Sequence, residues 1–235
     1  MTVPPPLDYV AARSPATERR GAPERQCVAQ PEQLAPPWRS VYCRSFKRFI
    51  DVAVALVLLI AVAAGLLLIA IVIRLDSPGP VLFRQTRIGK CGRPFVIYKF
   101  RSMFHNSRTA AANPCSDRSL KARNDPRVTR VGRLLRRTSL DELPQLFNVL
   151  RGDMSLVGPR PELPEIVATY EPWQHDRHRV LPGLSGWWQI HGRSDKPMHQ
   201  HTELDIYYVR HVSFLLDVYI LLRTLVVVLA GRGAF

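Results

Sequence analysis

Apolar positions along this chain change their period several times, and each change predicts an element. Val52 to Ile73 runs for 22 residues without a charge. As a straight helix it measures about 33 Å, enough to cross the hydrocarbon core of a bilayer. Ser77-Pro78-Gly79-Pro80 then makes a rigid turn. Alternation over Val81–Arg87 and Pro94–Phe100 predicts two short strands joined by a turn at Gly89–Gly92. Leu140, Leu143, Phe147 and Leu150 recur at helical spacing with Leu146 beside them, which predicts a helix over Leu140–Leu150. Residues 163–181 read as a helix ending in a charged stretch, and Gly183–Gly192 as a turn-rich aromatic segment. Glu203–His211 and Phe214–Ala230 read as two final helices. Asp217 and Arg223 inside the last one argue for an interfacial or packed helix over a second span. Residues 1–40 hold eight prolines and show no period, so residues 1–46 are taken as a disordered Pro/Arg-rich arm. Ser107–Asn124 reads as a loop.

Charge sharpens this outline. The formal net charge is +14. Residues 1–46 carry six Arg against four acids, a net of +2, which leaves +12 for Lys47 onward. Anionic partners follow: nucleic acid, anionic lipid or phosphorylated small molecules. No nucleic-acid recognition motif is present, and nucleic acid is set aside. Basic residues flank the apolar run on both sides, with Lys47 and Arg48 before it and Arg74, Arg84 and Arg87 after it. Lys and Arg favour the cytoplasmic face. A helix that enters and returns to one face satisfies both flanks, and the charge pattern leaves this re-entrant reading and a single span both open. The four cysteines show no paired spacing, which is most simply read as a reduced compartment. His175, His178, His191, His199, His201 and His211 have spacings that match no zinc site, and Trp187-Trp188 reads as packing.

The chemistry concentrates between Leu135 and Glu162. Asp141 and Glu142 are adjacent there, preceded by Arg136 and Arg137 and followed by Arg160 in a Gly-Pro-Arg-Pro turn. Neighbours inside a helix do not share a face, but first-turn side chains fan around the helix end. Ser139 with Glu142 has capping-box spacing; Asp141 as the cap places Pro144 in the tolerant first turn. Either cap puts both carboxylates at the positive end of the helix dipole. Plain capping accounts for such a pair in isolation. Beside several arginines, an ionised Asp can also attack phosphorus, and a second carboxylate can hold Mg²⁺. Lys99 and Arg101 alternate along the second strand and so are expected on one face, as further anion contacts. Arg193 is a weaker candidate.

The order of these segments resembles the bacterial sugar transferase family, the polyprenyl-phosphate glycosyl-1-phosphate transferases. The resemblance runs from Lys47 to about Gly231 and rests on KRFID at 47–51, SPGPVLFRQTRIG at 77–89, YKFRSM at 98–103, DPRVTRVGRLLRRTSLDELPQLFNVLRGDMSLVGPRP at 125–161 and PGLSGWWQIHGR at 182–193. It implies an α/β, mostly helical, single catalytic domain over 77–235. The membrane-embedded helix at 47–76 would be re-entrant, with interfacial amphipathic helices beside it. It implies that a UDP-sugar gives its sugar-1-phosphate to undecaprenyl phosphate and releases UMP, starting exopolysaccharide, capsule or O-antigen synthesis. By the same resemblance Asp141 is the nucleophile, Glu142 binds Mg²⁺, and Lys99, Arg101, Arg136, Arg160 and Arg193 contact substrate. The implied location is the cytoplasmic face of the bacterial inner membrane, against anionic lipids, and a homodimer is compatible. The chain departs from the family in having Ala63-Ala64, followed by Gly65, where a helix-kinking Ser-Pro is usual. Ser185 also stands where threonine is more common. The alternative function is a catalytically inactive, membrane-anchored scaffold of a polysaccharide assembly complex.

Overall fold

The long apolar run does form a helix, and its edges explain how the rest of the chain is attached. A computed structural model describes residues 42, 46–105, 125–191 and 201–229. The expected arm, apart from Tyr42 and Phe46, and the expected loop at 107–124 lie outside the described residues, as does Arg193. Helix α1 spans Lys47–Asp76 and is unbroken for 30 residues, about 45 Å. No proline interrupts it, in keeping with Ala63-Ala64. One stripe of α1 packs on the remainder: Asp51, Ala55, Leu59 and Ile73 are buried, with Leu66 and Ile69 partly so. The other faces carry exposed Leu56, Val57, Ile60, Leu67, Leu68 and Ile71. It is long and apolar enough to cross a membrane.

Both ends of α1 are bonded to the same body. At the start, Lys47 Nζ lies 2.5 Å from Asp217 Oδ2, and Asp51 Oδ1 accepts from the Leu156 amide at 3.2 Å. Arg48 donates to the Val149 and Leu150 carbonyls at 2.5 and 3.0 Å. At the end, the Val131 amide donates to Asp76, and Arg101 donates to the Ser77 carbonyl at 2.6 Å.

Strands β1 (Leu82–Ile88) and β2 (Pro94–Phe100) pair antiparallel, with Phe83 opposite Lys99 and Ile88 opposite Pro94. A 3-10 turn at Lys90–Gly92 connects them, within one residue of the sequence expectation. Cys91 in that turn is disulfide-bonded, a correction to the reading of reduced, unpaired cysteines. Distant cysteines can meet in the fold whatever their spacing, and its partner lies outside the described residues. Helix α2 (Arg130–Thr138) follows, capped by Thr129 Oγ1 on the Gly132 amide at 2.9 Å. A methyl group at Gly132 would meet the Ser102 carbonyl at 2.0 Å, so only glycine lets α2 sit this close to the end of β2.

The expected helix over Leu140–Leu150 is two pieces. Ser139 adopts a left-handed conformation (φ 57°), a 3-10 turn covers Leu140–Glu142, and α3 begins only at Gln145, running to Arg151. Pro144 has no amide hydrogen to donate and sits just before α3 rather than inside it. The break rotates the buried face onto Gln145, Leu146, Asn148 and Val149, leaving Phe147 exposed. Asn148 ties α3 to β2: its Oδ1 accepts from the Tyr98 amide at 3.1 Å and its Nδ2 donates to the Val96 carbonyl at 2.7 Å.

The short parallel strands β3 (Ser155–Val157) and β4 (Gly183–Ser185) flank the second half of the core. Prolines 164 and 172 divide the helix expected at 163–181 into α4 (Pro164–Val167) and a 3-10 stretch over Pro172–Arg179. The aromatic segment contains α5 (Trp187–His191). Helices α6 (Thr202–His211) and α7 (Phe214–Leu229) match their expected bounds closely. α7 is packed through buried Ile220 and Asp217 and exposes Leu215, Leu222, Leu225 and Val226. The described fold is therefore mostly helical around two small sheets.

Candidate active site

Asp141 and Glu142 lie on the 3-10 turn between α2 and α3, and four other segments bring cations to them. β2 supplies Lys99, whose Nζ is 2.9 Å from Glu142 Oε1. The turn after β3 supplies Arg160, which grips both Glu142 oxygens, Nη2 at 2.5 Å and Nη1 at 3.1 Å. This two-point grip is the strong form of a charge-assisted pair. α2 supplies Arg136, held by Ser102 Oγ on its Nε at 2.9 Å. β1 supplies Arg87, which donates to the Pro161 carbonyl at 3.3 Å and lies 3.5 Å from Glu162.

Neither capping expectation holds. The Ser139 side chain makes no cap bond to the turn, and α3 starts without a side-chain cap. Glu142 is turned toward Lys99 and Arg160 because two cations outcompete a backbone amide for one carboxylate.

The two carboxylates are prepared in opposite ways. Burial raises the Asp141 carboxyl to about 6, and repulsion from Glu142 adds to it, against the opposing charges of Lys99 and Arg136. Burial would raise Glu142 as well, but Arg160 and Lys99 override it and hold this carboxyl far below its usual range. Burial also pushes the Lys99 ammonium down, with Glu142 resisting. The Arg160 guanidinium is raised, first by Glu142. Burial lowers Arg87 to about 10. Among the described residues Asp141 accepts no side-chain hydrogen bond. The turn therefore offers one committed carboxylate and one uncommitted one, inside a surplus of positive charge.

The structure thus brings Asp141, Glu142, Lys99, Arg136 and Arg160 together. It does not bring in Arg101. The Arg101 amide still donates to the Val81 carbonyl at 2.8 Å, one step past β2, so the departure lies in its side chain and not in the backbone pairing. The Arg101 side chain is buried instead against the C-terminal end of α1, on Ser77 Oγ at 2.9 Å and the Ser77 carbonyl. Arg87 was not predicted; Gln85-Thr86-Arg87 gives no chemical signal in sequence. No cluster of three or more His, Cys, Asp or Glu occurs among the described residues. The hard-oxygen donors are Asp141 and Glu142. Mg²⁺ takes one or two carboxylates and fills its shell with phosphate oxygens and water; Asp141 offers open oxygens for it, whereas both Glu142 oxygens are already paired with Lys99 and Arg160.

A carboxylate pair ringed by Lys and Arg, in a fold that also carries a long apolar helix, makes a site with surplus positive charge. The sequence pattern of the bacterial sugar transferases matches residues 42–231, and this chain belongs to that family. A UDP-N-acetylgalactosamine-undecaprenyl-phosphate N-acetylgalactosaminephosphotransferase of Aeromonas hydrophila is 43% identical over 80% of this chain and 44% of its own length. The undecaprenyl-phosphate glucose phosphotransferase of Komagataeibacter xylinus is 45% identical over 80% of this chain and 37% of its own. The uncharacterized sugar transferase EpsL of Bacillus subtilis is 43% identical over 80% of this chain and 89% of its own. The chain thus spans less than half of the first two relatives and most of the third.

Proposed function

We propose that this protein transfers sugar-1-phosphate from a UDP-sugar to undecaprenyl phosphate, releasing UMP and forming undecaprenyl-diphospho-sugar. The observation that carries this reading is the uncommitted Asp141 beside a Glu142 held by Lys99 and Arg160. An Asp141 oxygen attacks the phosphorus that bears the sugar, the bond from that phosphorus to the UMP oxygen breaks, and UMP leaves. The sugar-phosphate is then esterified to Asp141. An oxygen of undecaprenyl phosphate attacks the same phosphorus and frees the carboxylate. Lys99, Arg160 and Arg136 neutralise the charge that builds on the phosphoryl oxygens. Glu142, once Lys99 or Arg160 gives up one of its oxygens, and Asp141 beside it would hold Mg²⁺ through carboxylate oxygen, and the ion supplies further charge neutralisation on the diphosphate when bound.

Both ends of α1 rest on the same body through Lys47, Arg48, Asp51, Asp76 and Arg101. A helix that crosses a bilayer leaves its far end on the other side. The double attachment favours an α1 that stays on one face, with its exposed apolar side and that of α7 in the membrane and the site on the cytoplasmic side, where UDP-sugars are. A Ser40→Cys protein in intact cells is then labelled by an impermeant thiol reagent no more than its parent; strong extra labelling overturns this topology.

The relatives at near-equal identity are named for different sugars, N-acetylgalactosamine and glucose. We propose a UDP-hexose as the donor. The test is a UMP-release assay across a panel of UDP-sugars with undecaprenyl phosphate and Mg²⁺. Release with one sugar supports the reading, and no release with any of them supports the scaffold, which the relatives' names do not favour.

A further inference from the structure

Arg160 reaches the site from a turn whose backbone is held residue by residue. The Gly158 amide donates to the Ser185 carbonyl at 2.9 Å, and the Pro159 carbonyl accepts from the Gly183 amide at 2.9 Å. The Ile88 amide donates to the Glu162 carbonyl at 2.9 Å. These are backbone bonds between the turn and neighbouring strands. The two carbonyls between Pro159 and Glu162 accept from side chains: Pro161 from Arg87 at 3.3 Å, and Arg160 from the buried Arg177 Nη2 at 2.6 Å.

Arg177 is fully buried, 1% exposed, in the 3-10 stretch over Pro172–Arg179. Besides Arg160 it meets two other partners. Nη2 lies 2.5 Å from Asp205 Oδ2 on α6, and Nη1 donates to the Tyr170 hydroxyl. Asp205 is buried completely. A buried ion pair of this kind adds little net stability over an apolar pair of the same volume, because both charges leave water. What it adds is direction. A planar guanidinium fixed at Asp205 and Tyr170 can meet the Arg160 carbonyl in only one place. The side chain of the residue so fixed runs to both oxygens of Glu142.

We propose that Arg177, anchored by Asp205, is a positioning residue that sets where the Arg160 guanidinium meets the substrate diphosphate. This rests on the function proposed above. Lysine at 177 keeps the charge but cannot serve three partners in one plane, so Arg160 shifts while the core stays filled. A misplacement of about 1 Å at a phosphate-binding arginine costs up to about 100-fold in rate.

The test is a double-mutant cycle of Arg177→Lys and Arg160→Lys on the full chain, read as kcat/KM for UMP release and as Tm. Expected is a loss of about 10- to 100-fold from Arg177→Lys alone and under about threefold when it is added to Arg160→Lys, with the same drop in Tm in both backgrounds. Equal losses in kcat/KM in both backgrounds mean a purely structural role and overturn the proposal. The four proteins are also titrated with UMP, so that the cycle is read from affinity where turnover is too slow. If Arg177→Lys does not fold, Tyr170→Phe, which removes one partner of Arg177, carries the same cycle with a smaller effect. A wild-type protein that releases no UMP from any UDP-sugar overturns the functional reading and this proposal with it. An active wild type with an additive cycle overturns the positioning role alone.

Discussion

Two clusters in this molecule are built from the same parts, a lysine and two carboxylates, and they end up doing different things. At the start of α1, Lys47 lies between Asp217, at 2.5 Å, and Asp51, at 4.0 Å. At the dyad, Lys99 lies beside Glu142, next to Asp141. The first cluster is closed by neutral donors. Tyr42 and Tyr208 hydroxyls donate to Asp217 at 2.6 and 2.7 Å, and the Leu156 amide serves Asp51. The second is closed by charge alone, with Arg160 and Arg136 added to the lysine and Asp141 left without a side-chain donor among the described residues. Hydroxyls and amides satisfy a carboxylate without changing its charge, so the first cluster is complete as it stands. Lys99, Arg136 and Arg160 around two carboxylates leave a positive surplus suited to an anion. The inventory of residues therefore does not tell the two clusters apart; the kind of donor that finishes each carboxylate does, and it agrees with an anchor in one case and the proposed reactive site in the other.

The largest predicted contrast comes from removing one carboxylate from each cluster. Asp141→Asn abolishes UMP release, a loss of at least about 1,000-fold. It also stabilises the protein at pH 7 by on the order of 1–2 kcal/mol, because an amide relieves a carboxylate that burial and Glu142 disfavour. Asp217→Asn leaves kcat of the folded protein within about threefold and lowers stability by about 2–4 kcal/mol, since Lys47 loses its partner. UMP release and thermal unfolding on the same two preparations check both. An active Asp141→Asn protein breaks the comparison.

Next in size is the lysine pair. Lys99→Met is expected to lower kcat/KM by about 100-fold, the loss of one charged group aimed at the phosphoryl oxygens. Lys47→Met leaves Asp217 with two hydroxyl donors and costs about 1–2 kcal/mol of stability, with kcat unchanged within about twofold. Equal kinetic losses from both lysines would place the anchor inside the active site.

The pH dependence follows from the dyad. On the proposed mechanism Asp141 attacks only when ionised, so kcat/KM is expected to rise with pH through an acid limb near 6. Its effect on stability has the opposite sign. A raised folded-state value means the folded protein binds the proton more tightly, so this stability is present at low pH and lost as pH rises from about 4 to 6. Glu142, held low by Arg160 and Lys99, contributes stability above the usual glutamate range that is lost as pH falls below it. A pH–rate profile with an unfolding series at each pH separates the two. An acid limb near 4 would mean that Asp141 is not buried as described.

The two clusters were unequally legible in the sequence. The long helix, the hairpin and the last two helices were readable because each has one unbroken period. That Asp141, Glu142, Arg136 and Arg160 come together was readable because charged residues crowd Leu135–Glu162; Lys99 was readable from a separate motif, YKFRSM at 98–103. Arg101 lies elsewhere because Ser77, at the end of α1, takes its guanidinium, and alternation along β2 shows nothing of that distant partner. The helix over Leu140–Leu150 was misread because a leucine spacing cannot show the left-handed Ser139 that resets the register. Asp217 was visible as an odd charge in an apolar helix, but its partners Tyr42 and Lys47 lie 175 and 170 residues away, and Tyr208 is on the preceding helix, so no single period joins them. A gap of 28 residues likewise hides the Arg177–Asp205 pair.

The smallest effect tests whether the two clusters are separate at all. The Tyr208 hydroxyl lies 2.7 Å from Asp217 Oδ1 and 3.0 Å from the Val157 carbonyl. Val157 ends β3, immediately before the Gly-Pro-Arg-Pro turn that carries Arg160. Tyr208 is therefore shared between the anchor and the base of the site. Tyr208→Phe keeps the ring in place and removes only the hydroxyl, which costs about 1 kcal/mol. Asp217 keeps Tyr42 and Lys47, and the Arg160 turn keeps its bonds to Gly183, Ser185 and Arg177. The expected result is a lower Tm with kcat/KM within about twofold of wild type, because the turn is held independently at each neighbouring residue. A tenfold loss of kcat/KM at unchanged UMP affinity would instead mean that the hold on α1 sets the rate of the chemical step.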